Sequence, residues 1–181
     1  MVEEVIIGHL AEYYDLKADV RYSRAHVPIR QLVNPNDPDV QKIAELCHRE
    51  NDFVDACQYF VNTYVRYQNE EGDYWGTPQE TLANRFGDCD DMAILLCSLL
   101  RNYIPPERVF CAVAVWGVES KAGGHMMVVL QDEDGTERIL EATADPDKPL
   151  IGRYEYYAIF NDKYAFATKA GLQVFGLLPV A

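Results

Sequence analysis

Positive charge is scarce in this chain. Lys and Arg number 16 against 29 Asp and Glu, a net charge of −13 over 181 residues. Such a surface repels phosphate backbones and anionic lipid, so neither nucleic acid nor a membrane is an expected partner. The same acidity suits a basic segment on a peptide or protein substrate, or serves solubility alone. A long apolar run is also lacking: the longest, Ala93 to Leu100, is broken by Ser98 and falls far short of a membrane span. The N-terminus, MVEEVIIGHLAEYYD, has neither the basic opening nor the apolar length of a signal peptide. Cysteine occurs 5 times, at 47, 57, 89, 97 and 111, without a C-x-x-C pair. An odd, dispersed set argues against a disulfide framework or a zinc knuckle and for a reducing compartment. These absences predict a cytoplasmic domain with no structural metal.

What is present is ordinary for a folded domain. Hydrophobic residues make up 49% and charged residues 25%, and the length suits one domain with a core that needs no staples. Residues 1–35 read as a short helix followed by extended segments. Asn34-Pro35-Asn36-Asp37-Pro38 is a turn with Asp37 as N-cap and Pro38 at the first helical position. Val40, Ile43, Ala44 and Cys47 give one helical stripe, and Val54, Cys57, Phe60, Val61 and Tyr64 give a second. Residues 68–76 read as a polar linker. Thr77-Pro78-Gln79-Glu80 is a capping box for a short helix that runs to about Arg85 and that Gly87 should break. The next helix starts at Asp88 or Cys89 and runs to Asn102, with a stripe from Met92 to Leu100 and Tyr103, before Pro105-Pro106 stop it.

Beyond Pro106 the pattern turns to strands. Val109–Trp116 is β-rich, His125–Leu130 and Glu137–Thr143 flank a turn at Asp134-Gly135, and Tyr154–Phe160 pairs with Tyr164–Thr168. Helices about 1–104 followed by a sheet about 107–181 predict a single α+β domain, the helices packed on an antiparallel sheet.

Cys89 stands apart from the other cysteines. It falls in the first turn of its helix, where unpaired amides and the dipole favour a thiolate. Met92, Ala93 and Leu96 follow at i+3, i+4 and i+7, so the sulfur should face the sheet. Of the four histidines, His125 follows Gly123-Gly124 and opens a strand, where its ring can face a cleft. Strand parity then selects its acid. A two-residue loop would put Glu141 on the opposite side of the sheet. A three-residue loop, Glu133-Asp134-Gly135, pairs His125 with Thr143 and puts Glu141 diagonally beside it on one face. Asp145 shares that face and is the rival acid, but it precedes Pro146, where the strand should leave the sheet.

Gly87-Asp-Cys-Asp-Asp-Met-Ala93 leading into a leucine-rich helix, then Gly124-His125, then an acid before Thr143, resembles the transglutaminase-like superfamily of papain-type fold. The nearest flavour is that of small microbial transglutaminase-like cysteine peptidases. The resemblance spans roughly residues 35–145 and is strongest at 75–101. It implies a Cys–His–acid triad, here Cys89, His125 and Glu141, and acyl transfer on amides through a thioester. The family's last motif is commonly Asp-Pro-Thr or Asp-Asn, and Glu141-Ala142-Thr143 stands in its place. The Cys89 backbone N–H is the expected oxyanion donor, with Trp75 and Gln79 as candidates for a second, side-chain donor. No cofactor is required. Some family peptidases bind calcium through acids flanking the cysteine, and Asp88, Asp90 and Asp91 could do so. Their plain reading is as capping and first-turn acids. The expected activity is amide or peptide hydrolysis. The alternatives are transfer to an amine, or an inactive interaction domain of the same fold.

Overall fold

Side-chain caps start the helices where the sequence places them. A computed structural model of the chain describes residues 11–12, 16–21, 26–69, 71–72, 74–117, 123–143 and 153–174. Helix α1 (Pro38–Cys47) opens on Asp37, whose carboxylate accepts from the Asp39 and Val40 amides at 2.9 and 3.1 Å. Helix α2 (Phe53–Tyr64) opens on Asp52, which accepts from Asp55 N–H at 3.0 Å. Helix α3 (Pro78–Asn84) has the full capping box, the Thr77 N–H reaching Glu80 Oε2 at 2.7 Å. Each satisfies donors that a helix start leaves orphaned, a contribution of about 1 kcal/mol per cap.

Helix α3 stops where expected, at about Arg85. Arg85 is its C-cap, in a left-handed conformation with φ 59°. Local partners hold that residue: its carbonyl accepts from Arg66 N–H at 2.9 Å, and its guanidinium lies 5.1 Å from the Tyr64 ring centre. Gly87 serves a different need. It forms β5 (Phe86–Gly87), which pairs in parallel with β4 (Arg66–Tyr67), and a Cβ there would sit 2.5 Å from the Asp91 carboxylate.

Helix α4 (Cys89–Leu100) is the centre of the molecule. Every side chain from Asp90 to Leu100 is buried, so this helix is apolar all round instead of striped. Tyr103, expected on its buried stripe, is exposed and stacks on His48 at 3.9 Å.

Among the described residues the sheet has six strands in the order β1-β10-β9-β6-β7-β8, antiparallel throughout. They are β1 (Ala11–Glu12), β6 (Val109–Gly117), β7 (Gly123–Gln131), β8 (Glu137–Leu140), β9 (Arg153–Phe160) and β10 (Ala165–Ala167). Strand β10 is followed by a short helix, α5 (Lys169–Val174). The expected sequence of helices first and strands afterwards needs correction. Strand β1 joins the sheet edge, and a hairpin of β2 (Lys17–Asp19) and β3 (His26–Pro28) also precedes α1. Two residues of β1 are too few for any periodicity, and its partner is Ala167 and Phe166. The helix expected near the N-terminus falls outside the described residues. So does Asp145.

Between β7 and β8, Val128 pairs with Leu140 and the Asp132 N–H bonds the Thr136 carbonyl at 2.8 Å. That leaves a three-residue loop with Gly135 at φ 88°, the positive φ a bulged hairpin needs. Strand β8 ends at Leu140, sooner than expected. The helices cover one face of the sheet in the larger core, while Phe110, Met127 and Ile159 form a smaller cluster on the other. Among the described residues, no helix is long and apolar enough to cross a membrane.

Candidate active site

Cys89 is the first residue of α4, and Asp88 before it is the N-cap. The thiol is half-buried. The Met126 backbone N–H approaches the sulfur and favours its ionisation, but burial, then Asp90, Asp88 and Glu141, push the thiol up to about 12. Burial is the largest of these influences, and a thiol raised in this way needs a base to react.

That base candidate is in the same cavity. His125 sits near the start of β7, paired with Ala114 of β6. Its Nε2 lies 2.6 Å from Glu141 Oε2, with side-chain exposures of 19% and 8%. Where Glu141 accepts from Nε2–H, Nδ1 is the nitrogen left to act as an acceptor. Glu141 is itself held from two sides. Its Oε1 accepts from Thr143 Oγ1 at 2.8 Å and from Thr143 N–H at 3.2 Å, and its carbonyl accepts from Gln58 Nε2 at 3.0 Å. Gln58 is a buried amide on α2, and no sequence pattern marked it; its only signal was a polar residue beside a helical apolar stripe.

Cys89 and His125 line a cavity of about 480 Å³ together with Trp75, Tyr67 and the β2–β3 hairpin. Trp75 lies in what read as a linker. It is buried, stacks on Phe160 at 5.7 Å, and bridges to Val20. Gln79 is not in this cavity. It is exposed on α3 and lines a separate hollow of about 450 Å³ with Ile43 and Phe60, so the structure does not bring it to Cys89. Tyr67, unmarked in the sequence, reaches the cavity because β4 pairs with β5 just ahead of Cys89. Its hydroxyl donates to Asn69 Oδ1 at 2.8 Å; burial and the nearby Cys89 and Asp88 push it up, so it keeps its proton.

The acids around Cys89 divide by role. Asp88, Asp90 and Asp91 each offer an oxygen within 4.8 Å of the others. Asp91 is already engaged: Arg21 donates to Oδ2 at 2.6 Å, Gly76 N–H to Oδ1 at 2.7 Å and Asp88 N–H to Oδ2 at 3.2 Å. Burial pushes its carboxyl up to about 6, and Arg21 opposes the rise. Asp88 is engaged as well, accepting from the Asp90 N–H at 3.3 Å as the N-cap, so a cation would have to share these carboxylates with the helix start. A calcium ion takes six to eight oxygens, so carbonyls and water would supply the rest.

Comparison with known proteins agrees with this arrangement at the level of the fold. LapG of Legionella pneumophila superposes with a TM-score of 0.51 at 18% identity, covering 71% of this chain and 85% of that one. Its EGTA-treated form gives 0.50 at 19% identity, covering 72% and 86%. A calcium-bound form, at 0.45 and 21% identity, is more distant, as is a Cytophaga hutchinsonii protein described as a candidate cysteine protease, at 0.45 and 18%. That last match covers 74% of this chain and 48% of the other. No curated protein matches. Residues 40–131, which hold Cys89 and His125, match the transglutaminase-like superfamily. That stretch is just over half of the chain, and the chain belongs to the transglutaminase-like superfamily.

Proposed function

We propose that this protein is a cysteine-dependent amide or peptide hydrolase. One observation carries the reading: a 2.6 Å His125–Glu141 pair opens onto the cavity that holds Cys89 at a helix N-terminus. In this mechanism His125 Nδ1 takes the Cys89 proton, and the thiolate attacks the substrate carbonyl. Glu141 fixes the ring and stabilises the imidazolium. The oxyanion is met by the Cys89 backbone N–H, with Trp75 as the side-chain donor left on the cavity wall. His125 returns the proton to the leaving amine, and water releases the acyl group from sulfur. No step calls on a cofactor. Calcium, when bound, would be held by Asp88 and Asp90, where its charge would offset the acids that oppose thiolate formation.

The substrate in this reading is a peptide or protein segment. Asp19, Asp88 and Asp90 on the cavity lining suit a basic residue near the cleaved bond. Transfer to an amine acceptor shares the acyl-enzyme and is the competing outcome. Two measurements test the proposal. At neutral pH, iodoacetamide should modify Cys89 well ahead of Cys47, Cys57, Cys97 and Cys111; equal or slower labelling of Cys89 sinks the enzyme reading. A glutamine-containing peptide with a tagged amine should be hydrolysed without tag uptake. Stable tag incorporation would assign the transferase activity instead.

A further inference from the structure

The Asp91 carboxylate is completely buried, and Arg21, 11% exposed at its side chain, comes to it from a segment 70 residues earlier. Their contacts tie three stretches of chain together. Arg21 also donates from its guanidinium to the Tyr74 carbonyl at 3.3 Å and from its backbone to the Trp75 carbonyl at 3.2 Å. The Trp75 N–H returns to the Asp19 carbonyl at 3.0 Å. Asp91 in turn accepts from Gly76 and from Asp88, the residue before the nucleophile candidate. Two glycines make room for this carboxylate: a Cβ on Gly76 would lie 2.3 Å from it, and one on Gly87 2.5 Å. Asp19 and Trp75, which this knot holds directly, line the cavity that also holds Cys89 and His125, and Lys17 on the same strand as Asp19 lines it too.

We infer that Arg21 and Asp91 are positioning residues that fix the substrate-binding wall against the Cys89 turn. The inference rests on the hydrolase reading, since it concerns the cleft of that reaction. A buried ion pair with several added hydrogen bonds specifies one geometry more than it adds stability. If the knot only stabilised the fold, loosening it would affect all reactions at Cys89 alike. A wall-setting role instead discriminates by reagent size. Iodoacetamide needs only the sulfur and its base, whereas an extended peptide must lie along the wall.

The test compares two electrophiles on the full chain: iodoacetamide, and a capped tripeptide chloromethyl ketone. In Arg21→Met, the ratio of peptidyl to iodoacetamide labelling at Cys89 should fall by about tenfold or more, the scale on which misplaced binding groups act. Arg21→Lys keeps the charge but not the planar fork, and should fall between the two with a near-normal melting curve. That variant carries the test if Arg21→Met does not fold. An unchanged ratio in folded variants overturns the inference. Failure of iodoacetamide to select Cys89 in the unmutated protein would instead overturn the hydrolase reading beneath it.

Discussion

Glu141 spends both carboxylate oxygens on neighbours, one on the His125 ring and one on Thr143. Replacing it with Gln keeps the shape but puts an amide N–H or an uncharged oxygen against Nε2. The ring then loses its fixed tautomer and its counter-charge. Glu141→Gln should lower kcat by up to about 10⁴-fold with the melting temperature nearly unchanged, as measured by peptide turnover and thermal denaturation. Cys89 gives a second prediction. With its thiol pushed up to about 12, labelling that depends on the free thiolate should climb about tenfold per pH unit well past neutrality. The unmutated protein, using His125, should label readily at neutral pH, and His125→Ala should show only the climbing profile. A pH series of iodoacetamide rates checks both. The Cys89–His125–Glu141 grouping was legible in the sequence because each clue is local: a helix start, a glycine pair, a loop length that sets parity. Gln58, Arg21 and Asp91 were not, since their partners lie 83 and 70 residues away and no spacing rule reaches that far.

Among the elements, two glycines that look alike in sequence behave oppositely. A Cβ on Gly87 meets the Asp91 carboxylate at 2.5 Å and its Cβ at 2.6 Å, whereas one on Gly124 meets nothing within 4 Å. Gly87→Ala must push a buried ion pair aside and should cost about 1–3 kcal/mol. Gly124→Ala should leave stability within about 0.5 kcal/mol. Urea denaturation of the two variants separates these outcomes. Capping was the most readable feature at this scale, since Asp37 and Thr77 act on amides two or three residues away. The end of α3 was legible to within a residue, but what holds it there was not. Arg85 takes a left-handed conformation that its type disfavours, because Arg66 and Tyr64 from other elements hold it there. Gln79 likewise has a fitting residue type in a fitting stretch, but α3 turns it toward α1 and α2 and away from the cavity.

For the whole molecule, buried thiols make stability sensitive to alkali. Cys89 is pushed up to about 12, and burial drives Cys111 well above its ordinary value as well. In the unfolded chain these thiols ionise near 9, so above that pH the folded state binds more protons than the unfolded one. Their contribution is fully present below pH 9 and is lost as pH rises toward 12. The urea midpoint should therefore fall between pH 8.5 and 10.5, and Cys111→Ala should fall less steeply over the same range. An equal slope in both proteins would assign the loss to other groups.

Strand β1 lies beside β10, so Ala11 faces Ala167 across a separation of 167 − 11 = 156 residues. A ribosome makes β1 first among the described strands and its partner last. The edge of the sheet therefore cannot close until β10 has been made, while β6, β7 and α4, which carry Cys89 and His125, have their partners much sooner. Late closure of a long loop is slow relative to local pairing. A nascent chain halted after Thr143 would thus hold Cys89, His125 and Glu141 in sequence, yet lack β9, the strand that flanks β6 on its other side.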